Sequence, residues 1–262
     1  MAKYKIKRTF IGLSAVAVLS ISSLADDIKS MKNAVDMAGQ QRMFTQRMLK
    51  DYAMVGMNNT FGKPDEDLKK TVGSFETNLE LLMQYTKDEN TKKSLEEVKK
   101  LWEPIKSVLN NAPEKDKVEA LQKDMETLLK AADEATKAFA QESGHESGEI
   151  INIAGRQRML SQRMASLYML KVWGVEDPEF KTTLDETMNL FKTSHEKLEK
   201  SDINTPETIA LLGKVKRSFI FFEMMNRGKS TKFIPTLIYK KSNEILKDMN
   251  SVTGLYVTHD AK

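Results

Sequence analysis

From residue 26 onward, apolar side chains recur at intervals of three and four in successive stretches divided by clusters of Asn, Gly, Pro and Ser. That spacing lines one face of a helix, and the clusters punctuate helix ends. A first helix is predicted over about Asp27–Met57, ended by Asn58-Asn59-Thr60-Phe61-Gly62-Lys63-Pro64. A second, over about Asp65–Thr86, carries Leu68, Val72, Phe75, Leu79 and Leu82 on one stripe. A third follows Asn90-Thr91 with Leu95, Val98, Leu101, Trp102 and Ile105 inward, and Pro104 is expected to kink it. After a turn at Asn110-Asn111-Ala112-Pro113, a fourth spans about Glu114–Glu142 with Val118, Leu121, Met125, Leu128 and Ala132 inward. Ser143-Gly144-His145-Glu146-Ser147-Gly148 reads as a junction, and the plan then starts again. The next helix runs to about Gly174, Asp177-Pro178 opens another, and Thr205-Pro206 is an N-cap followed by proline at the first helical position. That seventh helix carries Ile209, Leu212, Val215, Phe219 and Phe222 and ends at Asn226-Arg227-Gly228; the last runs from about Thr231, past Pro235, to about Val252.

The restart is literal. Ala154-Gly155-Arg156-Gln157-Arg158-Met159-Leu160-Ser161-Gln162-Arg163-Met164 repeats Ala38-Gly39-Gln40-Gln41-Arg42-Met43-Phe44-Thr45-Gln46-Arg47-Met48 at a constant offset of 116 residues, and Phe191 and Leu198 answer Phe75 and Leu82 at the same offset. Self-similarity of this period means two copies of one module. The chain therefore reads as all-α, residues 26–143 and 146–262 each holding enough apolar faces for a four-helix core.

The repeated block also carries the candidate chemistry. Helical spacing puts Gly39, Arg42 and Gln46 on one side, and likewise Gly155, Arg158 and Gln162, while Arg47 and Arg163 point about 140° further round. A helical glycine costs roughly 0.8–1 kcal/mol against alanine, and Ala-Gly one turn before the arginine lets another backbone come near. With the copies face to face, Arg42 and Arg158 converge. Two guanidinium groups ~6 Å apart repel by roughly 3 kcal/mol at an effective dielectric near 20. A small oxyanion between them removes that repulsion and accepts charge-assisted hydrogen bonds from two fixed forks of donors. The competing reading pairs each arginine with an Asp or Glu of a neighbouring helix, or leaves it at the surface.

The block resembles the signature of the PilJ-type, or NarX-like, N-terminal sensor domain of pilus chemotaxis transducers and nitrate/nitrite sensor kinases. The resemblance is specific in the second copy and looser in the first, where Gln40, Phe44 and Thr45 stand for Arg156, Leu160 and Ser161. It implies antiparallel four-helix bundles, here two in tandem packed as a pseudo-dimer, with the signature on the first helix of each. It implies a ligand held between two signature helices, gripped by Arg42 and Arg158 beside Gly39 and Gly155, with Arg47 and Arg163 orienting that pair or shaping its field. Nitrate or nitrite is the lead ligand, and a membrane chemoreceptor or sensor kinase the expected partner.

Composition narrows the rest. Lys3, Lys5, Lys7 and Arg8, the apolar run Phe10–Leu19 and Ser23-Leu24-Ala25 read as a signal peptide over residues 1–25, which places the protein in the periplasm or outside the cell. An uncleaved N-terminal anchor in the inner membrane is the alternative, although the run is short for a span of ~20 residues. The net charge of +4 equals the charge of that basic segment, so the remainder is balanced and nucleic acid is not expected as a partner. The absence of cysteine excludes disulfides, thiolate catalysis and thiolate-held metal. Methionines of the signature helices, such as Met43, Met48, Met159 and Met164, read as adaptable core filler rather than a Cu(I) site. His145, His195 and His259 have no ligand spacing, and no nucleophile elbow, phosphate loop or haem motif appears, so neither enzyme, metal nor cofactor is expected. Tyr52 and Tyr168, also 116 apart, read as core residues rather than partners of the arginines, and Trp102 and Trp173 as core or interface. The expected function is that of an exported, small-oxyanion-binding sensor protein lacking its own output domain. The alternative is a helical scaffold that mediates dimerisation or docks to a pilus or chemotaxis receptor.

Overall fold

The computed structural model describes residues 28–144, 146–227 and 234–259. The expected signal peptide lies outside them. The described residues form eight α-helices, one short 3-10 turn and their connections, with no strand among them. The helices are α1 (Met31–Gly56), α2 (Pro64–Tyr85), α3 (Glu89–Leu109), α4 (Val118–Glu142), α5 (Glu146–Trp173), α6 (Phe180–Glu199), α7 (Pro206–Arg227) and α8 (Pro235–Thr258).

Local chemistry sets the helix ends. Ser30 caps α1 by accepting from the Asn33 N–H, and Asp88 caps α3 by accepting from the Thr91 N–H at 2.8 Å. Thr205 caps α7 through the Thr208 N–H at 3.2 Å, as its sequence predicts. Gly62 and Lys63 take left-handed backbone ahead of Pro64, which occupies the first position of α2. The expected kink site does not interrupt α3, which continues through Pro104 to Leu109. Pro104 is exposed, so water can satisfy the Lys100 carbonyl that it leaves unbonded. The fourth helix begins later than expected, after a 3-10 turn over Lys115–Lys117. The junction is shorter than expected too. Gly144, at φ +64°, ends α4, and α5 has already begun at Glu146. The last helix starts at Pro235 rather than Thr231, which lies outside the described residues.

Each set of four helices closes a ring of neighbours: α1 on α2 and α4 with α3 between those two, and α5 on α6 and α8 with α7 between. Phe75 packs on Trp102 with ring centroids 4.3 Å apart, and its repeat Phe191 packs on Phe219 at 4.5 Å. Full burial of such side chains is worth about 1.5–3 kcal/mol each. The most extensive pairing in the molecule, however, is α1 with α5, which joins the two rings into one continuous core. Gln41 through Gln46 and Met48 through Met54 are all buried, so α1 is hidden on every side even though it carries arginine, lysine, aspartate and glutamine. Trp173, at the end of α5, lies over Gly56 and meets Tyr52 edge-on at 6.1 Å, which places it at the interface.

Candidate functional site

The two signature helices cross at their glycines. A β-carbon on Gly39 would sit 3.9 Å from the Gly155 Cα, 3.3 Å from Arg42 Nη2 and 3.4 Å from Arg158 Nη2. One on Gly155 would meet the same two nitrogens at 3.3 and 3.1 Å. The missing side chains thus leave the room into which both guanidinium groups fold, and the two cations come together at the crossing.

Their partners follow the repeat. Arg42, fully buried, donates through Nη1 to Asp133 Oδ1 on α4 at 2.6 Å and through Nη2 to the Asn152 carbonyl on α5 at 3.2 Å. Arg158, 2 % exposed, donates through Nη1 to Asn250 Oδ1 on α8 at 3.4 Å and through Nη2 to the Asp36 carbonyl on α1 at 3.4 Å. Asp36 and Asn152 are themselves repeat equivalents. Each arginine therefore reaches the last helix of its own ring and the first helix of the other. The halves differ in one respect: Asp36 adds its carboxylate, 2.5 Å from Arg158 Nη2, whereas Asn152 Oδ1 is buried without a hydrogen-bond partner. The Nε atoms of both arginines are also buried and unpartnered.

Convergence and carboxylate pairing thus coexist. Burial drives the Arg42 pKa down to about 10, with Asp133 opposing the fall and Arg156 and Arg158 adding to it. Burial alone would raise the Asp133 carboxyl, but Arg42 and Lys137 outweigh it and hold that group below the usual carboxylate range. Arg42 and Arg158 each face a carboxylate, so neither guanidinium lacks a counter-charge. An incoming anion must take the place of an internal one.

Arg47 and Arg163 are engaged elsewhere. Arg47 makes a two-pronged pair with Asp67 of α2, at 2.9 Å from Nε and 2.5 Å from Nη2, and Arg163 reaches Glu126 of α4 at 2.8 Å. The second of these ties the two rings together. The other repeated residues act as braces. Gln41 and Gln157 donate to the carbonyls of Phe75 and Phe191 at 3.0 and 2.9 Å, and Thr45 and Ser161 donate to the carbonyls of the arginines three residues earlier. The Tyr52 and Tyr168 hydroxyls accept from the N–H groups of Glu114 and Ile234, pinning the approach to α4 and α8 rather than touching the arginines.

Sequence reasoning missed two features. The first is the set of clasping groups Asp36, Asp133 and Asn250. The second is a buried ionic cluster roughly two to three turns along α1 from the crossing. There Lys50, fully buried, donates to Gln162 Oε1 and Asn243 Oδ1 at 2.8 Å each and lies 4.2 Å over the Tyr239 ring. Asp51 is equally buried beside it. The available signal was the broken repeat: the equivalents of Lys50 and Asp51 are Ser166 and Leu167.

The PilJ family, the N-terminal domain of type IV pili methyl-accepting chemotaxis transducers, matches this chain at residues 24–143 and again at 139–217. The chain belongs to that family. The second match stops within α7, so α8, which supplies Asn250, Asn243 and Tyr239, lies beyond it. No curated protein and no solved structure matches. Membership of the PilJ family assigns the molecule to sensory or signalling helical domains of chemotaxis transducers. No helix of the described residues is long and apolar enough to cross a membrane.

Proposed function

We propose that this PilJ protein is an exported, non-catalytic sensor whose two copies, residues 26–143 and 146–262, form an internal pseudo-dimer that takes one small oxyanion between Arg42 and Arg158. Nitrate or nitrite is the lead ligand. The observation that carries this reading is the meeting of the two guanidinium groups at the Gly39–Gly155 crossing.

Asp36 stands where the oxyanion would act. Its carboxylate satisfies Arg158 but is not bonded to Arg42, whereas a planar anion with three oxygens can engage both forks. Exchange therefore trades one charge-assisted bond for two, each worth about 1.5–3 kcal/mol. Asp36 keeps a partner when displaced, since Gln40 Nε2 already donates to its other oxygen at 3.1 Å. Drawing Arg42 and Arg158 onto one guest shifts α1 against α5, the kind of packed element with two arrangements that can carry a signal to a membrane chemoreceptor or sensor kinase. Gly39 and Gly155 keep the space open, and Arg47 and Arg163 hold the flanking helices in register.

Calorimetry and thermal melts with sodium nitrate and nitrite, against sodium chloride at equal ionic strength, test this. Ligand bound only by the native state raises the melting temperature. Asp36→Asn, which removes the internal competitor, should tighten nitrate binding, and Arg158→Gln should abolish it. If neither the wild type nor Asp36→Asn responds to nitrate or nitrite at concentrations on the order of 10 mM, the oxyanion reading fails. The carboxylate already paired with each arginine then favours the second reading, a helical scaffold that docks to a receptor without a small ligand.

A further inference from the structure

Next to the crossing, and sharing Asp36, Arg158 and Asn250 with it, a cavity of about 310 Å³ opens between α1, α2 and α8. We infer that this cavity is a second site, for a small organic carboxylate. The inference does not depend on an oxyanion entering the crossing.

Its walls are of two kinds. Met43 and Phe44 give it an apolar face. Arg158 and Lys70 give it a cationic one, with Gln40, Ser74 and Asn250 supplying neutral polar groups. Arg47, also on the wall, is neutralised by Asp67, and Arg158 by Asp36. Lys70 has neither an ion-pair nor a hydrogen-bond partner among the described residues, and the Ser74 hydroxyl is likewise free there. Asp36 is itself part of the wall, and the solvent-exposed Lys70 is the one lining cation without a carboxylate partner among the described residues, next to apolar surface. A bare inorganic anion would answer the charge and leave the apolar wall wet. A carboxylate with a hydrocarbon body answers both, and the volume falls at the small end of the ~300–1,000 Å³ usual for small-molecule pockets.

The duplication supplies an internal comparison. The equivalents of Lys70 and Ser74 on the opposite side are Glu186 and Leu190. There the free cation becomes an acid, and the small hydroxyl becomes a larger apolar side chain, 41 % exposed. The site is therefore one-sided, built where α2 has diverged from α6, and one carboxylate per chain is expected.

Benzoate, succinate and acetate, each as the sodium salt against sodium chloride at equal ionic strength, are the probes for calorimetry and thermal melts on the full chain. Saturable binding of benzoate or succinate at one per chain is expected, with acetate weaker for lack of a body. Lys70→Glu and Ser74→Leu, which write the opposite side's residues into this one, should each weaken binding at least 10-fold. Both positions are at least partly exposed, and circular dichroism and the melt without ligand verify that each variant folds. Glu186→Lys should leave binding unchanged. No saturable response to any probe at concentrations on the order of 10 mM, or binding that survives both Lys70→Glu and Ser74→Leu, overturns the inference. Nitrate binding at the crossing should survive Ser74→Leu, so the two sites fail separately: loss of the nitrate response alone leaves this site standing, and loss of the benzoate and succinate responses alone leaves the crossing.

Discussion

The Asp51 carboxylate lies 3.6 Å from the Lys50 ammonium, both fully buried, and neither Asp51 oxygen accepts a hydrogen bond. Arg47 is the next cation, at 3.9 Å, and Asp67 adds a like charge from α2. Burial, with Asp67 adding to it, pushes the Asp51 carboxyl up to about 7 in spite of Lys50 and Arg47. A folded-state pKa above the unfolded value of 3.8 means that the folded protein holds the proton more tightly. The associated stability is fully present below pH 3.8 and is lost as pH rises through about 7. Relative to Asp51→Asn, the wild type should lose stability between about pH 4 and pH 8, by on the order of 4 kcal/mol if the whole shift is expressed. Urea titrations of both proteins across that range check the slope, and parallel pH profiles would contradict it.

The same cluster gives a test by substitution. Lys50→Met leaves Asp51 buried with Arg47, 3.9 Å away, as its nearest cation and should cost roughly 3 kcal/mol. The double variant Lys50→Met/Asp51→Leu removes both charges, and its second residue matches Leu167 of the other copy. It should recover at least the wild-type stability, because replacing a buried pair by apolar groups is commonly neutral or stabilising by ~1–4 kcal/mol. Chemical denaturation of the two variants separates these outcomes.

At the crossing, the two carboxylates are not equivalent. Asp133→Asn strips the fully buried Arg42 of its only carboxylate partner among the described residues and should cost about 3 kcal/mol. Asp36→Asn also removes a carboxylate, but it leaves Arg158 two acceptors, Asn250 Oδ1 and the residue 36 carbonyl, where Arg42 would keep only the Asn152 carbonyl, so a smaller loss of about 2 kcal/mol is expected. Urea midpoints rank the pair, and the reverse order would refute the geometry described for the arginines.

Glycine substitutions should act in opposite directions. A β-carbon on Gly73 meets nothing within 4 Å, so Gly73→Ala should stabilise α2 by about 0.5–1 kcal/mol through helix propensity. The same change at Gly155 brings its β-carbon to 3.1 Å from Arg158 Nη2, an atom held by Asp36, and disturbing that bond outweighs the propensity gain. Gly155→Ala should melt lower than the wild type and Gly73→Ala higher.

The sequence carried the eight helical faces, the internal duplication and the meeting of Arg42 with Arg158, because periodicity and repeat offset report which side of a helix is buried. It did not carry the identity of what faces that side. Asp36 and Asp133 look like ordinary surface acids until α1 and α4 are packed, and Lys50 looks like a solvated cation until α5 and α8 cover it. Helix ends were less legible than helix faces. The late start of α4 after a 3-10 turn and the early start of α5 at Glu146 depend on local backbone bonding, which apolar spacing does not encode.

Both arginines of the crossing belong to one polypeptide. Their encounter is therefore a first-order event, set by the tether rather than by how many molecules share the solution. A guest seated between them should be held with the same affinity in nanomolar as in micromolar protein, and each half of the seat is free to change by mutation without altering the other. Asp36 and its repeat equivalent Asn152 are already one such unequal pair, a polarity that a seat made from two identical chains does not have.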